Sequence, residues 1–267
     1  MRNRIFVAAV TLSVLGAEIW FGELPRSTFP ILERAGRAIG PYGYAAILNT
    51  VQIAAPVLAL TLILRSLPGA LRELGLAANP LRPLLFGLVA TAPAWIGFLL
   101  TSHESPAFTL REFVLLCWAF PLAEEVMFRG FAFGLLYRRA GWPFWPAALL
   151  PAFVFGACHL YQSTDPMELA GIFAITAFGS VVFSYFFVRF RGNIWAPFAL
   201  HAFLNTWWMV FTPNASALGG VSDNLFRFGS IALAFAIVFA AARLPVFRVL
   251  APATGGVSRP GRGSIQR

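Results

Sequence analysis

Lysine is missing from this chain, and charge of either sign is scarce. All 20 basic residues are arginine, 11 residues are acidic, and charged residues make up only 12% of the 267. A soluble domain carries roughly a quarter charged residues, so a water-soluble globular fold is excluded. Hydrophobic residues reach 58% and mean hydropathy is +0.73, values that suit a chain dissolved in lipid. Cysteine occurs twice, as Cys117 and Cys158, each inside an apolar run. That excludes a disulfide framework and a zinc knuckle and leaves two small buried hydrophobes. The net charge is +9, but the arginines gather at the ends of apolar runs. They do not line one face, so no nucleic-acid partner is expected. The arginine-only, Ala/Gly/Pro-rich composition suggests a bacterial genome rich in GC.

A bilayer core takes roughly 20 apolar residues per helix. Eight such runs are present, near 5–22, 42–64, 81–102, 111–138, 144–161, 168–189, 193–212 and 226–244. The expected fold is therefore all-α, a polytopic membrane bundle of about eight transmembrane helices. It forms one domain over 1–249, followed by a Gly/Pro/Arg-rich disordered cytoplasmic tail over 250–267. There is no internal repeat and no soluble domain. The first run follows Arg2 and Arg4, as in a signal peptide. No small-x-small cleavage site follows, and Trp20 and Phe21 read as interface anchors, so it is taken as a helix. Glu18, near its end, reads as structural.

Arg65, Arg72, Arg82, Arg138, Arg139, Arg189, Arg191, Arg243 and Arg248 fall on one set of connections. The alternate connections "TSHESPAF", "YQSTDPME" and "TPNASALGGVSDN" hold no arginine. This positive-inside pattern leads to the expectation that both termini are cytoplasmic, and the bacterial composition to an inner, cytoplasmic membrane. The exception is 23–41, where Arg26, Arg34 and Arg37 accompany Glu23 and Glu33. It is either a surface helix or a sign that the first helix is misread. His103 and Glu104 read as an exposed loop.

The fourth run contains "PLAEEVMFRG", with Glu124, Glu125 and Arg129 within six residues. An ionisable group at a membrane-helix centre costs roughly 2.5–3.5 kcal/mol, so three are tolerated only if they pair or face a wet cavity. Glu125 and Arg129 are four apart and can pair, while Glu124 is turned by about 100° and points elsewhere. A carboxylate in a low-dielectric cavity moves towards general-base duty. The bland alternative is a charged triplet that locks helices together. His159 lies in the fifth run, four residues after Phe155, and His201 lies in the seventh, four residues before Asn205. A carboxylate and a histidine can activate water, and a second histidine with an amide can stabilise an oxyanion. Together they describe an acyl hydrolase without a Ser or Cys nucleophile. The same residue types also suit a metal site, although there is no H-E-x-x-H and an arginine one turn away repels a cation. Cys158 and His159 are neighbours on a helix, point about 100° apart, and do not form a cysteine-protease dyad.

"EEVMFR" (Glu124–Arg129), "FGACH" (Phe155–His159) and "HAFLN" (His201–Asn205) resemble the E-E-x-x-x-R, F-x-x-x-H and H-x-x-x-N motifs of the CPBP family. That family unites CAAX prenyl endopeptidases with bacterial Abi-type membrane proteins. The motifs stand in the family order, within a core of about 111–212. The resemblance implies a glutamic-type intramembrane endopeptidase with a mostly eight-helix fold and no cofactor. Glu124 would be the general base and His159 would help activate water. His201 and Asn205 would form the oxyanion hole, with Glu125, Arg129 and Phe155 in support. The partners implied are the bilayer and a membrane-associated or lipidated peptide or protein. The alternatives are a non-enzymatic immunity or scaffold module on the same fold, a metal-dependent membrane protease, and a transporter. Straight helices put Glu124 near mid-membrane, His201 about 12 Å from the inner end of its helix and His159 near an outer end. Either the fifth segment, with prolines at 143, 146 and 151, is broken or re-entrant, or the run boundaries are off by several residues.

Overall fold

The structure, a computed structural model, describes residues 2–23, 30–40, 42–101, 108–211 and 218–252, with side chains from residue 4 onward except those of 18–23. Glu18, Trp20, Phe21, His103, Glu104 and most of the tail therefore lie outside the described side chains. Among the described residues there are helices and no strand. In chain order these are α1 (Arg2–Glu23), α2 (Pro30–Ile39), α3 (Gly43–Leu64), α4 (Leu67–Glu73), α5 (Leu81–Ala90) and α6 (Ala92–Thr101). The long helix α7 (110–139), α8 (Phe144–Ala157), α9 (Pro166–Arg189), α10 (Trp195–Phe211) and α11 (Val221–Arg243) complete the bundle.

The protein is thus an all-α integral membrane bundle. Among the described residues four spans are long and apolar enough to cross a bilayer: α3, α8 with the turn after it, α9 and α11. The pair α5 and α6, bent by 42°, passes the same test only when taken together as one broken span. The other three apolar runs are helical as well, but they do not meet that measure. α10 has 17 residues, α1 offers the shorter stretch Arg4–Ala17, and α7 carries the charges. The 23–41 segment contains a genuine short helix, α2. It packs on α3, pairs Glu33 with Arg37 at 2.9 Å, and exposes Ile31 and Ile39.

The bend between α5 and α6 has a local cause. Pro93 removes a helical donor, and Thr91 at the break turns its hydroxyl onto the Gly87 carbonyl at 2.9 Å. The amide of Ala94 takes the Ser230 hydroxyl of α11 at 3.1 Å, and Trp207 of α10 donates to Thr91 Oγ1 at 2.8 Å. The broken helix thereby holds α10, which also lies close against it: a Cβ on Gly87 would come within 2.5 Å of Ala199 Cβ.

The helix α7 runs through the middle of the bundle, against α1, α3, α8, α9 and α10. Its Val126–Phe133 stretch is wholly buried. At its arginine-rich end the 73–79 connection is clasped from below. Glu73 pairs with Arg138 and Arg139. Leu74 lays its carbonyl against Gly130, where a Cβ would come within 2.8 Å. Trp195 donates to the Leu76 carbonyl at 3.3 Å, and Asn193 donates to that of Asn79 at 3.0 Å.

Candidate active site

The helix that carries the paired glutamates is not a plain α-helix. Leu115–Ala119, Val126–Phe133 and Leu135–Arg139 are wound as π-helix, with hydrogen bonds reaching five residues back. A wider turn fits more residues into the same axial length. Between Glu124 and Arg139 most residues are in π winding, so Glu124 lies nearer the arginine-rich end than an α-helical rise implies. His201, six residues into α10, stands about 9 Å from that same end. Glu124 and His201 thereby reach one depth. The fifth segment, for which a break or re-entrant turn was one expectation, is instead a continuous 14-residue α8 that passes through Pro151 and stops beside the site.

The imidazole of His201 sits between the two glutamates. Its Nδ1 is 2.9 Å from Glu125 Oε1, and its Nε2 is 3.6 Å from Glu124 Oε2. The two carboxylates do leave the helix in different directions, but the ring offers a nitrogen to each. Glu125 Oε2 also lies 3.1 Å from Arg129 Nε, the i to i+4 pair expected from spacing. Glu125 and Arg129 are fully enclosed, whereas the Glu124 side chain is 23% exposed, so Glu124 is the edge of the cluster that a small molecule can reach.

Two aromatic rings close the cluster. Phe155 lies 4.6 Å from the Arg129 guanidinium carbon and contacts His159 and His201, at 4.5 and 6.3 Å between ring centroids. Phe183 of α9 stacks on His201 at 5.3 Å and lies 5.1 Å from the same guanidinium. The negative face of an aromatic ring attracts a cation. These rings hold Arg129 where water cannot, and the Phe183 stack sets the plane of His201. Phe183 was not singled out by its sequence context, because "VVFSYFF" offers three equivalent phenylalanines. Arg227 was not singled out either, although its signal, a charge inside the eighth apolar run, was there to find. It stacks on Trp208 at 4.3 Å and donates to Asn224 Oδ1 at 3.2 Å, fastening the start of α11 to α10.

His159 caps the end of α8, with Nδ1 2.6 Å from the Phe155 carbonyl. That contact assigns the ring proton to Nδ1 and leaves the Nε2 lone pair for other use. Asn205 donates from Nδ2 to the Leu116 carbonyl of α7 at 3.2 Å. Glu124, Glu125, Arg129, His201, Phe155 and His159 are linked by successive contacts, and Asn205 stands one turn beyond His201 against the same helix α7. Cys117 is buried with its sulfur 3.4 Å from that of Met209, and Cys158 is half-buried. Among the described residues, no three His, Cys, Asp or Glu side chains are grouped to hold a metal ion.

Fold and site together define a class, an integral membrane protein with an acid–imidazole–acid centre neutralised by a buried arginine. Residues 106–207, which carry every one of these motif residues, match the family model described as Type II CAAX prenyl endopeptidase Rce1-like. Over this segment, less than half of the chain, the protein is similar to that family. A curated protein of Bacillus subtilis (strain 168), named "Putative membrane peptidase YdiL", is 31% identical over 86 residues. That stretch is 32% of this chain and 31% of the relative. No solved structure matches.

Proposed function

We propose that the protein is an intramembrane endopeptidase that hydrolyses a peptide bond of a membrane-associated or lipidated substrate with an activated water. The observation that carries this reading is the His201 ring held between Glu124 and Glu125. Nδ1–H donates to the ionised Glu125, whose charge Arg129 balances. The Nε2 nitrogen then faces Glu124 at 3.6 Å, and one proton placed on either group removes the repulsion between the two acceptors. With that proton the cluster is neutral, as a dry site requires.

The chemistry follows from where the proton can go. With the shared proton on Nε2, Glu124 is ionised and accepts a proton from water as the oxygen attacks the substrate carbonyl. His159 Nε2 is a second acceptor that orients the water. The tetrahedral oxyanion receives Nε2–H of His201 and the second N–H of Asn205, whose first binds Leu116. Glu124 then returns its proton to the leaving amine as the C–N bond breaks. No covalent enzyme intermediate and no cofactor are needed.

The test is cleavage of a library of membrane peptides by purified protein in liposomes. Wild type is compared with Glu124→Gln, Glu124→Ala and His201→Ala, each with and without a strong chelator. The proposal expects chelator-resistant cleavage that falls by about 100-fold or more in all three variants. Cleavage lost to chelator and restored by zinc would move the site to a metalloprotease. An inert wild type whose Glu124→Gln variant still functions in cells would favour a binding module.

A further inference from the structure

Pro121 lies one turn before Glu124, in the interior of α7, and has no part in the chemistry above. A proline inside a helix leaves without a donor the carbonyl that its missing N–H would have met. Which carbonyl that is depends on the winding. Over Leu115–Ala119 the winding is π, and the amide of Phe120 bonds the Leu115 carbonyl, five residues back. In that register the donor next in line for the Leu116 carbonyl is residue 121, which is proline. The carbonyl is met from another helix instead: Asn205 Nδ2 donates to it at 3.2 Å. Water cannot easily substitute, because Pro121 and its neighbours Cys117 and Ala123 are buried. A backbone carbonyl in such surroundings must be satisfied internally.

We propose that Pro121 is a positioning residue for Asn205. By withholding a backbone donor from Leu116, it keeps that carbonyl for the Asn205 carboxamide. The bond fixes the rotation of the amide and ties α10 to α7 one turn beyond His201. The second N–H of Asn205 is then held ready for the oxyanion, so the proposal rests on the role given to Asn205 above. A helix defect next to the glutamates thus becomes a support for the site.

Two arms test this and separate it from the protease reading. The first needs no substrate: thermal unfolding midpoints in detergent for wild type, Pro121→Ala, Asn205→Leu and the double variant. Pro121→Ala restores an N–H that can serve Leu116, so Asn205→Leu should lower the midpoint by several degrees in the wild-type background and by less than half as much in the Pro121→Ala background. The comparison is of differences, so any cost of removing the proline ring cancels. Equal drops in both backgrounds would overturn the proposal. The second arm uses a substrate that wild type cleaves. Pro121→Ala should lower kcat by about tenfold or more with KM within about twofold, and adding Asn205→Leu should reduce kcat little further. Coupled midpoints with an unchanged kcat would overturn the positioning role. If no substrate is cleaved, the thermal arm alone decides whether the Pro121–Leu116–Asn205 linkage exists.

Discussion

At the residue scale the centre depends on charge balance more than on any single bond. Arg129 is buried among Phe155, Phe183 and Glu125, and its Nη atoms meet no hydrogen-bond acceptor among the described residues. Its main electrostatic partner is the Glu125 carboxylate. Removing one member of a buried pair leaves the other uncompensated, at a cost of about 3–5 kcal/mol, whereas removing both can be nearly neutral. Arg129→Met should therefore unfold the protein at markedly lower temperature, and Arg129→Met with Glu125→Gln should recover most of that loss without recovering cleavage. Unfolding midpoints in detergent check this, and an Arg129→Met variant as stable as wild type would contradict the charge accounting. The pairing of Glu125 with Arg129 was legible in the sequence because it follows from helical spacing alone. That His201 would bridge both glutamates was not. It depends on a contact between residues 76 positions apart and on the π winding that brings the two helices to one depth.

At the element scale, the clasp between α4 and α7 fixes the arginine-rich end of the site helix. Burial works against the Glu73 carboxylate, but the hydrogen bond from Arg139 and the charges of Arg138 and Arg139 outweigh it and hold the carboxyl below its ordinary value. A carboxyl depressed on folding adds stability above its unfolded value, and that stability is lost as pH falls through the folded value. Glu73→Gln should thus lower the unfolding midpoint at neutral pH, by an amount equivalent to about 1–2 kcal/mol. The gap should close as pH falls below the ordinary carboxyl value of 4.5. A gap that persists unchanged in acid would mean that the clasp is not ionic. The clasp itself was not foreseen: Arg138 and Arg139 were recognised only as cytoplasmic-side charges, and their partner lies 65 and 66 residues earlier. The continuous α8 was likewise missed. Three prolines suggested a break, but Pro143 and Pro146 fall at the start of the helix, where a missing N–H costs little, and only Pro151 is interior.

At the scale of the whole molecule, the apolar runs were the most legible feature. Each became helical, because hydropathy over 17 or more residues is a strong signal in a chain with so few charges. Span number is less directly readable. A bend such as that at Thr91 divides one run into two helices, and a helix such as α7 keeps charges that no hydropathy window favours. The bundle surrounds one cluster, with α7, α8, α9 and α10 each contributing a side chain to it. The central claim is that this cluster makes water the nucleophile. It is tested most directly by a single turnover of a cleaved substrate in water enriched in oxygen-18, followed by mass spectrometry of both product and enzyme. If water attacks, one heavy oxygen appears in the new carboxylate of the product and none in the peptide that carries Glu124. Unlabelled product, with the heavy oxygen in Glu124 itself, would show that the glutamate attacks the carbonyl and would contradict that claim.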